Sequence, residues 1–421
     1  MTRTFVGFGF GPIQSGLFLY EAYLSGNFDR FVVAEVDADL VRAVEDAGGR
    51  YALNIARADR VDPFELSGIE LMNPRTAEGR DALVDAIAEA SELATALPSV
   101  DFYDAGGETS VVSLLQAGLS KRHQPHPTVL YAAENNNHAA EILTGKLTAA
   151  GAEIDRFQAL NTVIGKMSGV ITDPETIEAM ELAPITPRAG RAILIEEFNR
   201  ILVSRVEIEG FQRGIDVFEE KPDLLPFEEA KLFGHNAIHA VMGYLADLRG
   251  YRTIAEVADD EDILTIARAA FLDESGPALI ARHAGLGDPL FTSVGWRAYA
   301  EDLLERMVNP NLNDRVERVG RDHCRKLGWD DRIYGTMRRA LNAGLSPRNL
   351  AKGAAGGVFS MIRRADELTD PPASLPADEN DLTRESLARL LGEIWGDNAD
   401  TAQAGDLIDL TCHALDELPA G

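Results

Sequence analysis

The run from residue 3 to residue 37 constrains the fold more than any other part of the chain. "RTFVGFGF" at 3 to 10 and "FVVAEVD" at 31 to 37 are short apolar stretches rich in aromatic and β-branched residues, and "SGLFLYEAYLSG" between them has helical length and spacing. A strand that leaves through glycines into a helix and returns as a strand is a β-α-β unit. The apolar run "PTVLYAAEN" at 127 to 135, following the amphipathic "TSVVSLLQAGLSKR", continues the alternation expected of a parallel sheet with helices on both faces. The first half therefore reads as α/β.

From about residue 223 the period changes. Apolar residues recur at three and four through "FEEAKLFGHNAIHAVMGYLADL", "DILTIARAAFLDESGPALIARHAG" and "WRAYAEDLLERMVN", so the second half reads as all-α. Pro222 and Pro226 disfavour helix in the residues before them and mark the boundary. The expected organisation is a Rossmann-like dinucleotide-binding domain at 1–222 and a helical substrate domain at 223–421. A second breaker, "LTDPPASLPADEND", precedes a last pair of helices.

Charge narrows the partners. With 68 acidic against 40 basic side chains the formal charge is -28, a field that opposes nucleic acid and anionic lipid, and an anionic metabolite would need a locally basic pocket. No apolar run reaches the ~18 residues of a membrane span, the N-terminus lacks the pattern of a secretory leader, and two cysteines make no disulfide framework. A reducing, cytoplasmic setting with a small-molecule partner is the expectation.

"GFGFGPIQSG" leaves the first strand and opens the helix, the context in which backbone N–H groups and a helix N-terminus hold a pyrophosphate. The spelling departs from G-x-G-x-x-G. Gly7 and Gly9 lead to Pro12, whereas Gly9 and Gly11 lead to Gln14. A turn that only joins strand to helix is the competing reading. Against it stands Glu35, 26 residues after Gly9 and near the ~20-residue offset at which an acid meets ribose hydroxyls. A carboxylate there accepts from a 2′-hydroxyl and repels a 2′-phosphate, which favours NAD over NADP. Asp37 is the alternative acid. Gly9, Gly11, Gln14 and Glu35 are thus the candidate cofactor residues.

Only seven of the 40 basic residues are lysine, and Lys231 stands in an apolar segment. At about 100° per residue, Lys231, His235, Asn236 and His239 fall on one helical stripe. These residue types suit oxidation of a secondary alcohol. A lysine whose pKa is lowered by burial takes the hydroxyl proton, an asparagine donates to the developing alkoxide, and a histidine orients. His235 and His239 also have the i, i+4 spacing of two metal ligands, but the remaining histidines are scattered and no third ligand accompanies them, so no metal is expected.

Lys231, Asn236 and His239 spell K-x4-N-x2-H, and with "GYLADLRGYRTIAE", "DESGPALIARH" and "NPNLNDRVERVGRDHCRKLGWDDR" the chain resembles the polyol-specific long-chain dehydrogenases, most of all their mannitol-phosphate branch. The resemblance implies an NAD-dependent, metal-independent reaction in the cleft between the domains, converting mannitol 1-phosphate to fructose 6-phosphate and back. Lysine is then the general acid/base, and Asn236 with a second asparagine forms the oxyanion hole. "YAAEN" supplies Glu134 and Asn135 for that place, with Asn136 and Asn137 adjoining. Arg318 and Lys326 match family positions that contact substrate, and Arg321 and Arg325 lie close by. The structural alternative pairs these arginines with Asp314, Glu317 and Asp322 on a solvated helix. Where the family usually reads Asp-Arg, this chain has Gly165 and Lys166. A free-polyol dehydrogenase or hexuronate reductase, and a cofactor-binding protein without turnover, are the rival readings.

Overall fold

The structure, a computed structural model, describes residues 3–418. The chain divides into two compact units, Met1–Leu225 and Pro226–Gly421. In the first, twelve strands are β1 (Thr4–Phe8), β2 (Arg30–Ala34), β3 (Tyr51–Ala56), β4 (Val61–Leu66), β5 (Ile69–Met72), β6 (Ala90–Thr95), β7 (Thr128–Ala132), β8 (Phe157–Ile164), β9 (Ser168–Ile171), β10 (Ala192–Glu196), β11 (Ile201–Ser204) and β12 (Phe218–Lys221).

Eight of them form one sheet in the order β12-β11-β8-β7-β6-β1-β2-β5. From β5 to β8 every pairing is parallel, and β11 then joins β8 antiparallel. Counted along the chain, the parallel strands run 3-2-1-4-5-6, the order of doubly wound dinucleotide-binding sheets, so the Rossmann-like expectation is met. Strand order reverses at β1 and β6, where the glycine-rich turn emerges. Successive residues of a buried strand serve opposite faces: Phe5 and Val33 enter one apolar cluster, while Val6 and Val32 enter the other.

A second sheet, β4-β3-β10-β9, was not anticipated. It packs on the first helix, where the Tyr51 hydroxyl donates to the Ser15 carbonyl at 2.7 Å. A Cβ at Gly16 would stand 2.5 Å from the Ile195 side chain. That glycine therefore serves helix-to-sheet contact.

The second unit is helical. Leu225–Ala230, Lys231–Asn236 and Ala237–Leu248 form one continuous course. Ala237–Leu248 is buried over most of its surface and packs on Arg348–Arg363, whose sequence "AKGAAGG" allows a close approach. A Cβ at Gly353 would lie 2.4 Å from Val241, and one at Gly357 would lie 2.9 Å from Tyr244. With Val241, Leu245 and Tyr244 almost fully buried, and each such side chain contributing roughly 1.5–3 kcal/mol, this contact fixes the helix on which the polar stripe stands. The last helices, Arg384–Trp395 and Ala402–Glu417, begin at Thr383 and Thr401, whose hydroxyls accept N-terminal N–H groups. Among the described residues no helix is long and apolar enough to cross a membrane.

Candidate functional site

In the first unit the glycine turn is shaped by its backbone. Gly9 has φ +82°, and its N–H donates to the Ala34 carbonyl at 2.9 Å, tying the turn to the end of β2. Nothing lies within 4 Å of a Cβ built on Gly11, so its surroundings are open. Pro12 begins the helix where its missing N–H has no partner to lose. Glu35 closes the other side. Its carboxylate accepts from Phe10 N and Asp37 N, both at 2.8 Å, and retains lone pairs for further donors. Asp37, the alternative acid, caps the next helix and pairs with Arg191 at 2.9 Å. Gln14 is fully buried, its amide is pressed beneath Gly7, and neither amide atom has a hydrogen-bond partner.

Beyond β7, Glu134 is buried and accepts from Thr95 Oγ1 and Leu97 N, both at 2.9 Å, and from the Tyr103 hydroxyl. Asn135 stands exposed beside it, whereas the Asn136 side chain accepts from His138 N at 2.8 Å in a local turn. Lys166 does not face solvent. It is buried, with Nζ donating to the carbonyls of Glu196 at 2.6 Å and Phe198 at 2.7 Å.

In the second unit, Lys231–Asn236 is a π-turn set within the long helical course. The Phe233 carbonyl accepts the Ser275 hydroxyl at 2.7 Å, a side-chain donor that holds the widened turn, while the Thr336 hydroxyl, 3.3 Å away, gives its proton to the Arg332 carbonyl. Gly234 lets it pack: a Cβ there would meet Phe271 at 3.1 Å and Trp296 at 3.3 Å.

The extra residue changes the stripe. A π-turn sets the residues after it back by about 100° relative to an α-helix, which moves Asn236 and His239 into line with Lys231. Lys231, Asn236 and His239 are half-buried, while His235 is 5% exposed. His235 is the most buried of the four, and its ring centroid lies 6.1 Å from that of His239. Burial, with His239 and Arg306 nearby, holds it well below the usual histidine range, so it stays neutral. Among the described residues no third ligand joins the two histidines.

Burial and the Arg332 guanidinium lower the Lys231 amine to about 8, with Glu228 opposing. His239 Nε2 stands 2.8 Å from Asp314 Oδ2. Asp314 Oδ1 in turn accepts from Arg318 Nη2 at 2.6 Å and Nε at 3.1 Å. Burial opposes ionisation of Asp314, but His239 and Arg318 outweigh it and hold the carboxyl at about 2.

The arginine run is two short helices, Val316–Gly320 and His323–Lys326, broken where Asp322 adopts φ +62°. Arg318, Arg321 and Arg325 are exposed and line an open basin of about 1090 Å³ together with Arg315 and Arg364. Each of the three has an acid nearby: Arg318 has Asp314, and Asp322 lies 2.8 Å from Arg325 and 4.0 Å from Arg321. Lys326 differs from them. It is buried, and its ammonium donates to the carbonyls of Val319, at 2.6 Å, and Arg321, closing the end of the first helix. Burial, with Arg332 adding to it, lowers it to about 7.

The family model of the mannitol dehydrogenase C-terminal domain matches residues 223–414. The helical half is a mannitol dehydrogenase C-terminal domain. The polyol dehydrogenase family read from the sequence is thereby borne out, and with it the reading of the chain as an enzyme. The fold is also that of solved polyol dehydrogenases. A D-sorbitol dehydrogenase in substrate-free form superposes with a TM-score of 0.78 at 13% identity, over 99% of this chain and 93% of that one. Pseudomonas fluorescens mannitol 2-dehydrogenase, in a ternary complex with NAD and D-mannitol, gives 0.71 at 16% identity, over 99% and 92%.

Sequence reasoning missed two groups. Arg332, one turn before Thr336 on Arg332–Asn342, adds the charge that lowers Lys231. Ser275 holds the π-turn. The one available signal was the five-residue spacing of Lys231 and Asn236, which stacks in a π-turn and not in an α-helix.

Proposed function

We propose that this chain interconverts a sugar alcohol phosphate and a ketose phosphate, mannitol 1-phosphate and fructose 6-phosphate being the expected pair, with NAD as cofactor. The observation that carries the reading is Lys231, an amine lowered to about 8 and aligned by the π-turn with Asn236 and His239. When bound, NAD supplies the hydride acceptor for polyol oxidation and the donor for the reverse. The residues at the first strand fit it: the open backbone of Gly9 and Gly11 suits a pyrophosphate, and the Glu35 carboxylate suits ribose hydroxyls. The buried Gln14 acts in this turn from beneath, by filling the space under Gly7.

Lys231 takes the substrate hydroxyl proton during oxidation and returns it during reduction. Asn236 and Asn135 donate to the alkoxide oxygen, and His239 orients the reacting hydroxyl. Arg318, Arg321 and Arg325 offer forked donors to a phosphate, and Lys326 shapes that basin by fixing the turn at Arg321.

A second reading, a dehydrogenase of free polyols, is favoured by the acids beside those arginines. Steady-state rates on mannitol 1-phosphate, mannitol, fructose and uronates separate the two. The phosphate reading predicts a kcat/KM for mannitol 1-phosphate well above that for mannitol, reduced by Arg321→Ala and Arg325→Ala. Equal values for the two substrates would sink it.

A further inference from the structure

Asp314 lies outside the K-x4-N-x2-H pattern, yet it touches both the stripe and the basin. The residue is 5% exposed. Oδ1 takes two donors from Arg318, at 2.6 and 3.1 Å, and Oδ2 faces His239 Nε2 at 2.8 Å. Both atoms are buried and neither meets hydrogen-bond geometry with any described residue, so the 2.8 Å approach stands as a close polar contact between them. The backbone is pinned as well. The Asp314 carbonyl accepts from Ile254 N at 2.9 Å, and neighbouring Arg315 bridges to Thr253.

A carboxylate oxygen and an imidazole lone pair repel each other at 2.8 Å, so a proton must lie between them. With Asp314 ionised, that proton belongs to Nε2, and in the neutral ring the other nitrogen, Nδ1, is left as an acceptor. We propose that Asp314 is a positioning residue that fixes His239 as the Nε2–H tautomer, so that His239 accepts a hydrogen bond from a substrate hydroxyl rather than donating one, with Arg318 as the clamp that holds Asp314 in place. The catalytic part of this rests on the functional reading above. The tautomer does not.

The same carboxylate thus joins the stripe to the basin. Arg318 acts on His239 through Asp314, and this explains why a residue expected to meet substrate has two donors turned toward a buried acid. An anion arriving in the basin meets the outward edge of that guanidinium, which is 48% exposed.

The test reads the ring directly. Histidine selectively labelled with 15N in the full chain, with the His239 signals assigned through His239→Asn, is expected to show the Nε2–H pattern of nitrogen shifts. Asp314→Asn should lose that pattern, Asp314→Glu should recover part of it, and Arg318→Met, which frees the carboxylate from its clamp, should weaken it. Thermal melting identifies any variant that fails to fold; Arg318→Met leaves the acid in place and is the second arm in that case. For turnover, Asp314→Asn should lower kcat on every polyol roughly 10- to 100-fold, as when the partner orienting a functional histidine is removed. Arg318→Met should mainly raise KM. An Nδ1–H pattern in the native enzyme, or an unchanged pattern in Asp314→Asn, overturns the assignment. A confirmed pattern with unchanged kcat overturns the orienting role of His239 and leaves the tautomer standing.

Discussion

On the proposed mechanism, the pH dependence of polyol oxidation is set by one amine. An ordinary lysine at 10.5 is only ~0.3% neutral at pH 8, whereas one lowered to about 8 is half neutral, so roughly 150-fold more of the enzyme has a base ready. The expected profile of kcat/KM for oxidation therefore rises with pH and levels off above about 8. Lys231→Ala should lower kcat by roughly 10²- to 10⁴-fold, remove that limb, and leave NAD affinity measured by calorimetry nearly intact. Stability gives an independent reading of the same amine. Its folded pKa is depressed, so the unfolded chain binds more protons between pH 8 and 10.5, and the folded form gains stability as pH climbs through that window. Lys231→Met should accordingly raise the melting temperature below pH 8, with the gain shrinking toward pH 10.5. The reasoning is refuted if Lys231→Ala retains the limb near pH 8 or loses less than tenfold in kcat.

Three other outcomes are expected. Removing the cation that depresses Lys231, by Arg332→Leu, should move the oxidation limb to higher pH, and a limb that stays in place or moves down contradicts the electrostatic assignment. Gly7→Ala would place a Cβ 2.2 Å from Gln14 Nε2 in a fully buried space, so it should destabilise the fold by about 1–3 kcal/mol in urea titrations. Adding Gln14→Ala should recover most of that loss, and a purely additive pair would show that the two do not meet. EDTA should leave activity unchanged; loss on chelation with restoration by a divalent ion would return His235 and His239 to the role of ligands.

Much of the first sheet was legible because period and punctuation agree there. Wholly apolar strands alternate with a helix, and glycines and Pro12 mark the turn between them. The β3, β4, β9 and β10 sheet was not, because the pairing that joins its two halves, β3 with β10, links residues as far apart in the chain as Asn54 and Leu194 and leaves no local signal. The arginine run was legible as basic but not as bent. The bend depends on Asp322 in a left-handed conformation and on buried Lys326 closing the helix before it, neither of which the local pattern announces.

By itself the sequence determined a doubly wound sheet followed by a helical domain, and it placed lysine, asparagine and histidine close together on one helix. Their alignment was decided by tertiary structure. The π-turn that brings Lys231, Asn236 and His239 into line is held by the hydroxyl of Ser275, 42 residues from Phe233. The low pKa of Lys231 likewise comes from burial and from Arg332, neither of which belongs to its own helix turn. Local propensity sets which segments become helix. Where a helix widens, and how acidic an amine on it becomes, depends on donors and charges that meet it only when distant segments pack.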